Sequence, residues 1–253
     1  MDEELKRKIA SVTIDSNEKL VLMTTKDMIW KQLNRDNLDI EKTFDSLFKS
    51  DIDSLSELYG EISGVVLNAI RAGNELQREC GILLLNALST FMAAVQIFRS
   101  GHRLSSLMLI RSIVELLCVV NHLTVKPGDL KLFQKGHLKS TKCVTTAKKV
   151  FPPIGELYGQ LSDNITHVAE LHRSLNPISK YTSRDEAVST NFGYLRASIW
   201  LVYVTAELSF FDLVSHHRYW REFEGKGYSF SPAEEVKSWM DTFLQGEYKD
   251  VAS

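Results

Sequence analysis

The first 126 residues of this 253-residue chain contain no proline, and the five that follow stand at 127, 152, 153, 177 and 232. Proline inside a helix removes a hydrogen bond and clashes with the preceding turn. A proline-free half with few glycines is therefore free to form long helices. No segment sustains apolar–polar alternation, so the pattern calls for helices and no strand. The spacing predicts helices at about 15–35, 38–49, 54–72, 74–99, 103–125, 129–150, 153–173, 186–220 and 232–245. Start signals recur as Asp15 with Glu18, Ser54 with Glu57, Ser183 with Glu186, and Ser231–Pro232–Glu234. Each sets a side-chain acceptor ahead of a helix and a carboxylate near its third position. The expected fold is all-α, a helical bundle of about eight or nine helices.

Hydropathy divides the chain into parts. Residues 74–125 and 195–214 are the most apolar and are expected to form the core. The expected organisation is an N-terminal helical extension (1–73), a core bundle (74–220) and a C-terminal loop and helix (221–253). From Cys80 to Phe98 there is no formal charge. That run is near membrane-spanning length, but Asn86, Ser89, Thr90 and Gln96 interrupt it, so a buried core helix is the expectation. The charged N-terminus lacks the apolar centre of a signal peptide. Cys80, Cys118 and Cys143 have neither metal nor redox spacing, which fits a reducing, cytoplasmic setting, and with the apolar run read as core and a net charge of −2 no membrane contact is expected. No phosphate-binding glycine loop, nucleophile elbow or EF-hand loop occurs, and no cofactor is expected.

Two charged side chains and a histidine interrupt the apolar run Leu104–Val125: Arg111, Glu115 and His122. At 100° per residue they share one stripe of a helix that otherwise reads as buried all round. Arg111 and Glu115 stand four apart and can pair. They are either a register-fixing ion pair or the lining of a site that orients an anion and moves protons. A second segment, Leu157–His172, sets Tyr158, Leu161 and Ser162 on one face. Asp163 and His167 share another face, where the carboxylate can orient the ring. His167 and His172 stand five apart, poor spacing for a shared metal on a helix, and no metal site is expected.

A third feature is basic. Residues 126–149 hold seven lysines and one aspartate, a net of +6 in a chain whose total is −2. As one helix they would align Lys131, Lys135, Lys139, Lys142 and Lys149 along a face. Such a strip is either a solvated surface or a contact for phosphates or an acidic partner. Lysine without arginine suits backbone contact better than base reading.

The stretch Gly101–Glu115, GHRLSSLMLIRSIVE, resembles the "G…LxRSxxE" segment of a widespread, mostly bacterial family of helical proteins. In that family a "YxxLSxxxxH"-like segment follows, matched here by Tyr158, Leu161, Ser162 and His167. The family resembles the HEPN-like bundles, several of which are RNA-cleaving toxins and phage-defence effectors. The resemblance covers about residues 80–175. It implies an RNA-directed protein in bacterial defence, acting by binding or cleavage. Arg111, Glu115 and His167 are then the candidate catalytic residues. Tyr158, Ser162, His122, Lys131, Lys135, Lys139 and Lys142 are the candidate binding residues. HEPN ribonucleases also carry an arginine four to six residues before a histidine. None of His102, His122, His137, His167, His172, His216 and His217 is so preceded. The alternative is a non-catalytic interaction module with a structural Arg–Glu seam. Expected partners are RNA or an acidic protein, with a second copy of the chain as a further candidate.

Overall fold

The computed structural model describes residues 7–17, 19–166, 172, 180–223 and 227–246. Near the start of the described residues is a hairpin of β1 (Ile9–Asp15) and β2 (Leu20–Thr25), followed by one turn of helix, α1 (Met28–Lys31). The helix expected over 15–35 is therefore corrected. Val12, Thr13, Ile14, Val21, Thr24 and Thr25 are β-branched and fit a pleated strand. The Asp15 carboxylate accepts from the Asn17 N–H at 2.9 Å, an Asx turn that closes the hairpin instead of capping a helix.

Four long helices make the bundle: α2 (Asn37–Ala72), α3 (Glu75–Arg99), α4 (Arg103–Val125) and, later in the chain, α8 (Glu186–Ser209). The two helices expected over 38–72 are both there and meet at a kink at Phe48 (φ −127°, ψ 19°), so that α2 is two helical halves run together. Its inner side belongs to the core: Phe44, Phe48, Ile62 and Val66 are fully buried. Phe44 packs against Phe48, Phe98, Tyr181 and Phe192 with ring centroids 5.0–5.9 Å apart. Such pairs add about 0.5–1.5 kcal/mol each beyond the apolar area they bury.

Asn74 starts α3 through a reciprocal box: its side chain accepts from Gln77 N at 3.0 Å, and the Gln77 side chain accepts from Asn74 N at 2.9 Å. Gly101, at φ 87°, turns the chain into α4, which runs back along α3. The boundaries expected for both helices agree with these. Both are long and apolar enough to cross a membrane by length and composition, but in this fold they pack on each other and on α8. In α8, every residue from Leu195 to Leu208 except Ala197 is buried. It contacts α2, α3 and α4 and is the axis of the core.

Between α4 and α8 lie α5 (Leu130–Gln134), α6 (Ser140–Val150) and α7 (Pro152–Leu161), the last continuing as a π turn, Ser162–Thr166. The single helix expected over 129–150 is broken at Gly136. That residue takes φ 70°, the left-handed cap that glycine adopts without strain. Buried Cys143, Val144 and Ala147 seat α6 on both α4 and α7.

The helix expected to run to 220 ends at Ser209. Tyr219 and Trp220 instead enter a short hairpin of β3 (Trp220–Glu222) and β4 (Tyr228–Phe230). The cause is Glu207, 1% exposed, whose carboxylate accepts from the backbone N–H groups of Arg218, Tyr219 and Trp220 at 2.8–3.0 Å. The last helix among the described residues, α9 (Glu234–Gln245), ends at Gly246, where φ is 70°. A Cβ there would lie 2.0 Å from Arg196 Nη1, so only glycine lets α9 close down on that arginine.

Candidate functional site

Helix α4 presents Arg111 and Glu115 one turn apart on the side that faces α7. Arg111 Nη1 donates to Glu115 Oε2 at 3.1 Å, and Arg111 Nε donates to Ser162 Oγ at 3.0 Å. The guanidinium carbon stands 3.7 Å from the Tyr158 ring centroid, within cation–π distance. The two motif segments, separated by some fifty residues of sequence, thus meet through four of their named side chains. This cluster is not sealed. The Arg111 side chain is 16% exposed and that of Glu115 41%. That corrects the expectation of a helix buried all round: Ser105, Met108 and Ser112 of α4 also face outward. Solvent at Glu115 screens the pair, which is then worth about 1 kcal/mol or less.

His167, the third candidate catalytic residue, lies outside the described residues. His122 is described and stands apart from the seam. It is fully buried, with Nδ1 2.8 Å from Thr146 Oγ1 and Nε2 2.8 Å from Asp129 Oδ2. Lys142 Nζ donates to the same Asp129 oxygen at 2.7 Å. Lys142 first, and the His122 ring second, hold the Asp129 carboxyl below the usual carboxylate range. The ring therefore ties α4 to α6 and to the turn before α5. It is an architectural residue, not part of the Arg111 cluster.

All seven lysines of 126–149 are exposed. The break at Gly136 divides them. Lys131 and Lys135 lie on and just after α5, Lys139 precedes α6, and Lys142, Lys148 and Lys149 line its outer face. The strip is thus two short basic surfaces, not one helical stripe. Because α6 packs on α4 and α7, Lys148 lies in electrostatic range of Cys118, as Arg111 and Glu115 do, while Lys142 pairs with Asp129 beside His122. The Lys148 stem covers Gly155 at the start of α7, where a Cβ would meet Lys148 Cγ at 2.3 Å. Lys148 belongs to this site and was not singled out by the helical-face reading, which followed only the arc through Lys149. Its signal was its place in the same lysine run.

Cys118 lies on α4 within electrostatic range of Arg111, Glu115 and Lys148. Burial pushes its thiol up to about 12 against the pull of Arg111, and burial likewise pushes Cys80 to about 12 and raises Cys143. Thiolates are the reactive form. At pH 8 a thiol-disulfide reagent should label none of the three in the folded chain and all three in denaturant. Rapid labelling of the folded chain would contradict the burial of these side chains.

Among the described residues, no group of three or more histidine, cysteine, aspartate or glutamate side chains is placed to hold a metal ion. An open groove of about 300 Å³ lies between α2 and α9, lined by Glu57, Glu61, Arg218, Glu235 and Trp239 among others. Comparison of the chain with family models, curated proteins and solved structures finds no match.

Proposed function

We propose that this protein binds RNA along its phosphate backbone. The basic outer surfaces of α5 and α6 make the contact, and the Arg111 cluster braces the helices beneath it. One observation carries the reading: Lys142, Lys148 and Lys149 are all exposed on a helix that packs directly on the Arg111-bearing helix and on α7. A lysine cluster of this kind displaces counterions from a phosphate chain without reading bases. Binding is favoured over cleavage because the arginine already has partners. Its Nε donates to Ser162, its Nη1 to Glu115, and its face covers Tyr158.

The test is a binding and cleavage assay with mixed single-stranded RNA at low salt, beside a folded Lys142→Glu, Lys148→Glu, Lys149→Glu variant. The expected result is salt-sensitive binding without cleavage, weakened at least tenfold in the variant. Cleavage that disappears in Glu115→Gln would replace the binding reading with an enzymatic one. Displacement of RNA by poly-glutamate as effective as by RNA itself would reassign the lysines to an acidic protein partner. A second reading, a helical protein-interaction module, has its own support in the apolar N-terminal hairpin, whose large side chains face solvent.

A further inference from the structure

The groove between α2 and α9 combines an apolar and aromatic lining with unbalanced charge. Leu58 at its base is 2% exposed. Trp239 is 39% exposed, and its indole is held in place by Phe243, with ring centroids 4.9 Å apart and planes at 11°. Among the described residues the lining sets the carboxylates of Glu57, Glu61 and Glu235 against the single guanidinium of Arg218. That guanidinium is already committed. Its Nη1 stands 2.8 Å from Glu61 Oε2, and its Nη2 donates to Glu61 Oε1 at 3.2 Å. The lysines nearest in sequence on the two helices are committed too, Lys49 to Asp53 at 2.5 Å and Lys237 to Glu234 at 2.6 Å. Glu57 and Glu235 thus have no ion pair among the described residues. Glu57 also stands one helical turn from Glu61, where like charges repel.

We propose that this groove binds a small organic cation of the diamine or polyamine class. One ammonium is held by the Glu57 and Glu235 carboxylates, and the alkyl chain lies along Leu58 and Trp239, whose indole face attracts a positive charge. The carboxylates alone would make a solvated acidic surface. The concave shape, the apolar base and the fixed aromatic wall are what make a site of them, since such pockets bind by apolar lining and orient by a few polar groups. The volume of about 300 Å³ suits a short flexible chain. Among the described residues no three carboxylate, histidine or cysteine side chains are placed to hold a metal ion, and an indole offers a hydrated metal ion no ligand oxygen. The proposal is independent of RNA binding, because no lining residue belongs to α4, α5, α6 or α7.

Isothermal titration of the full chain with spermidine, at low salt and without RNA, tests this. The expected result is saturable binding at one site. A Glu57→Gln, Glu235→Gln variant should bind at least about tenfold more weakly, the loss expected when both charge-assisted contacts go. Trp239→Ala should weaken binding by about threefold, and Trp239→Phe, which keeps an aromatic face, should retain most of the affinity. Helical circular dichroism should be unchanged in all of them, because the three positions are exposed. A Lys142→Gln, Lys148→Gln, Lys149→Gln variant should bind spermidine as the wild type does, so failure of this site and failure of RNA binding are read separately. Absence of saturable binding would overturn the proposal. So would binding that the Glu57, Glu235 variant leaves unchanged, which would put the cation elsewhere on the surface. Magnesium chloride that displaces spermidine as well as an equal concentration of putrescine does would overturn it in favour of a diffuse divalent-ion site. A chain that ignores spermidine yet binds poly-lysine, with loss in the Glu57, Glu235 variant, would overturn it in favour of a basic protein partner.

Discussion

Replacing Asp51 with alanine should cost about 3–5 kcal/mol of folding stability, the range for breaking a buried ion pair from one side. Asp51 is fully buried on α2, and Arg196 on α8 is 3% exposed. The Arg196 guanidinium donates to Asp51 Oδ1, and Arg184 reaches the same carboxylate through both terminal nitrogens. One carboxylate thus joins α2, α8 and the segment ahead of α8. Without it, Arg196 stays in the interior and loses the anion opposite it. The control is Asp45→Ala. Asp45 pairs with Arg99, but its side chain is 52% exposed, so its loss should cost less than about 1 kcal/mol. Urea titration of both variants reads the difference, with a lower midpoint and an unchanged slope expected for Asp51→Ala. Equal losses in the two variants would mean that burial of the pair is not what gives Asp51 its weight.

The second large effect is expected at Glu207. Glu207→Leu leaves three backbone N–H groups without their acceptor. Each orphaned buried donor costs about 1–3 kcal/mol, for a total of roughly 3 kcal/mol or more. The damage should be local first. Trp220 is 3% exposed and donates its indole N–H to the Val204 carbonyl at 2.8 Å, so the β3–β4 hairpin is fastened to α8 at this point. Hydrogen exchange should show protection lost at residues 218–220 before the rest of α8 opens. Glu207→Gln keeps one acceptor oxygen and should lose about half as much. Protection at 218–220 that survives in Glu207→Leu would show that other contacts hold this hairpin.

Both residues show what a sequence conceals. Asp51 and Glu207 sit in helical stretches whose pattern is ordinary, and their partners are more than ten residues away or on other helices. Periodicity finds the apolar face of α8. It cannot find which acid on that face will meet three amides from a loop. The long apolar helices were readable because length and capping decide them: α3 and α4 begin and end where the spacing predicts. The Asn74–Gln77 box has the same four-residue spacing as the serine boxes and marks the start of α3 as plainly. The N-terminal hairpin was misread for a physical reason. Asp15 and Glu18 resemble a helix start, and Leu20–Met23 is an unbroken apolar run without alternation, so only the β-branched Val12, Thr13, Ile14, Val21, Thr24 and Thr25 mark the strands.

The site was partly legible. Arg111 and Glu115 pair as their four-residue spacing requires. Their meeting with Tyr158 and Ser162 needs the antiparallel course of the chain, which no local pattern contains. His122 shared a helical stripe with Arg111, yet it turned inward to Asp129 and Thr146, because three turns along the helix its neighbours are different elements. The lysine strip was legible as charge but not as shape. Gly136 lowered the odds of a single helix, and the structure uses it to turn the chain. What survives is a basic surface on α6, which packs on the Arg111-bearing helix.

The salt dependence of RNA affinity tests that surface most directly. Affinity would be measured by fluorescence anisotropy over a series of salt concentrations, for the wild type and for a Lys142→Gln, Lys148→Gln, Lys149→Gln variant of equal helical content. Each phosphate contact on single-stranded RNA contributes about 0.7 to the slope of log affinity against log salt. If the three lysines touch the backbone, the slope should fall by about 2 in the variant, and the curves should converge at high salt. An unchanged slope, with or without a uniform loss of affinity, would contradict the proposed contact and remove α6 from the RNA-binding surface.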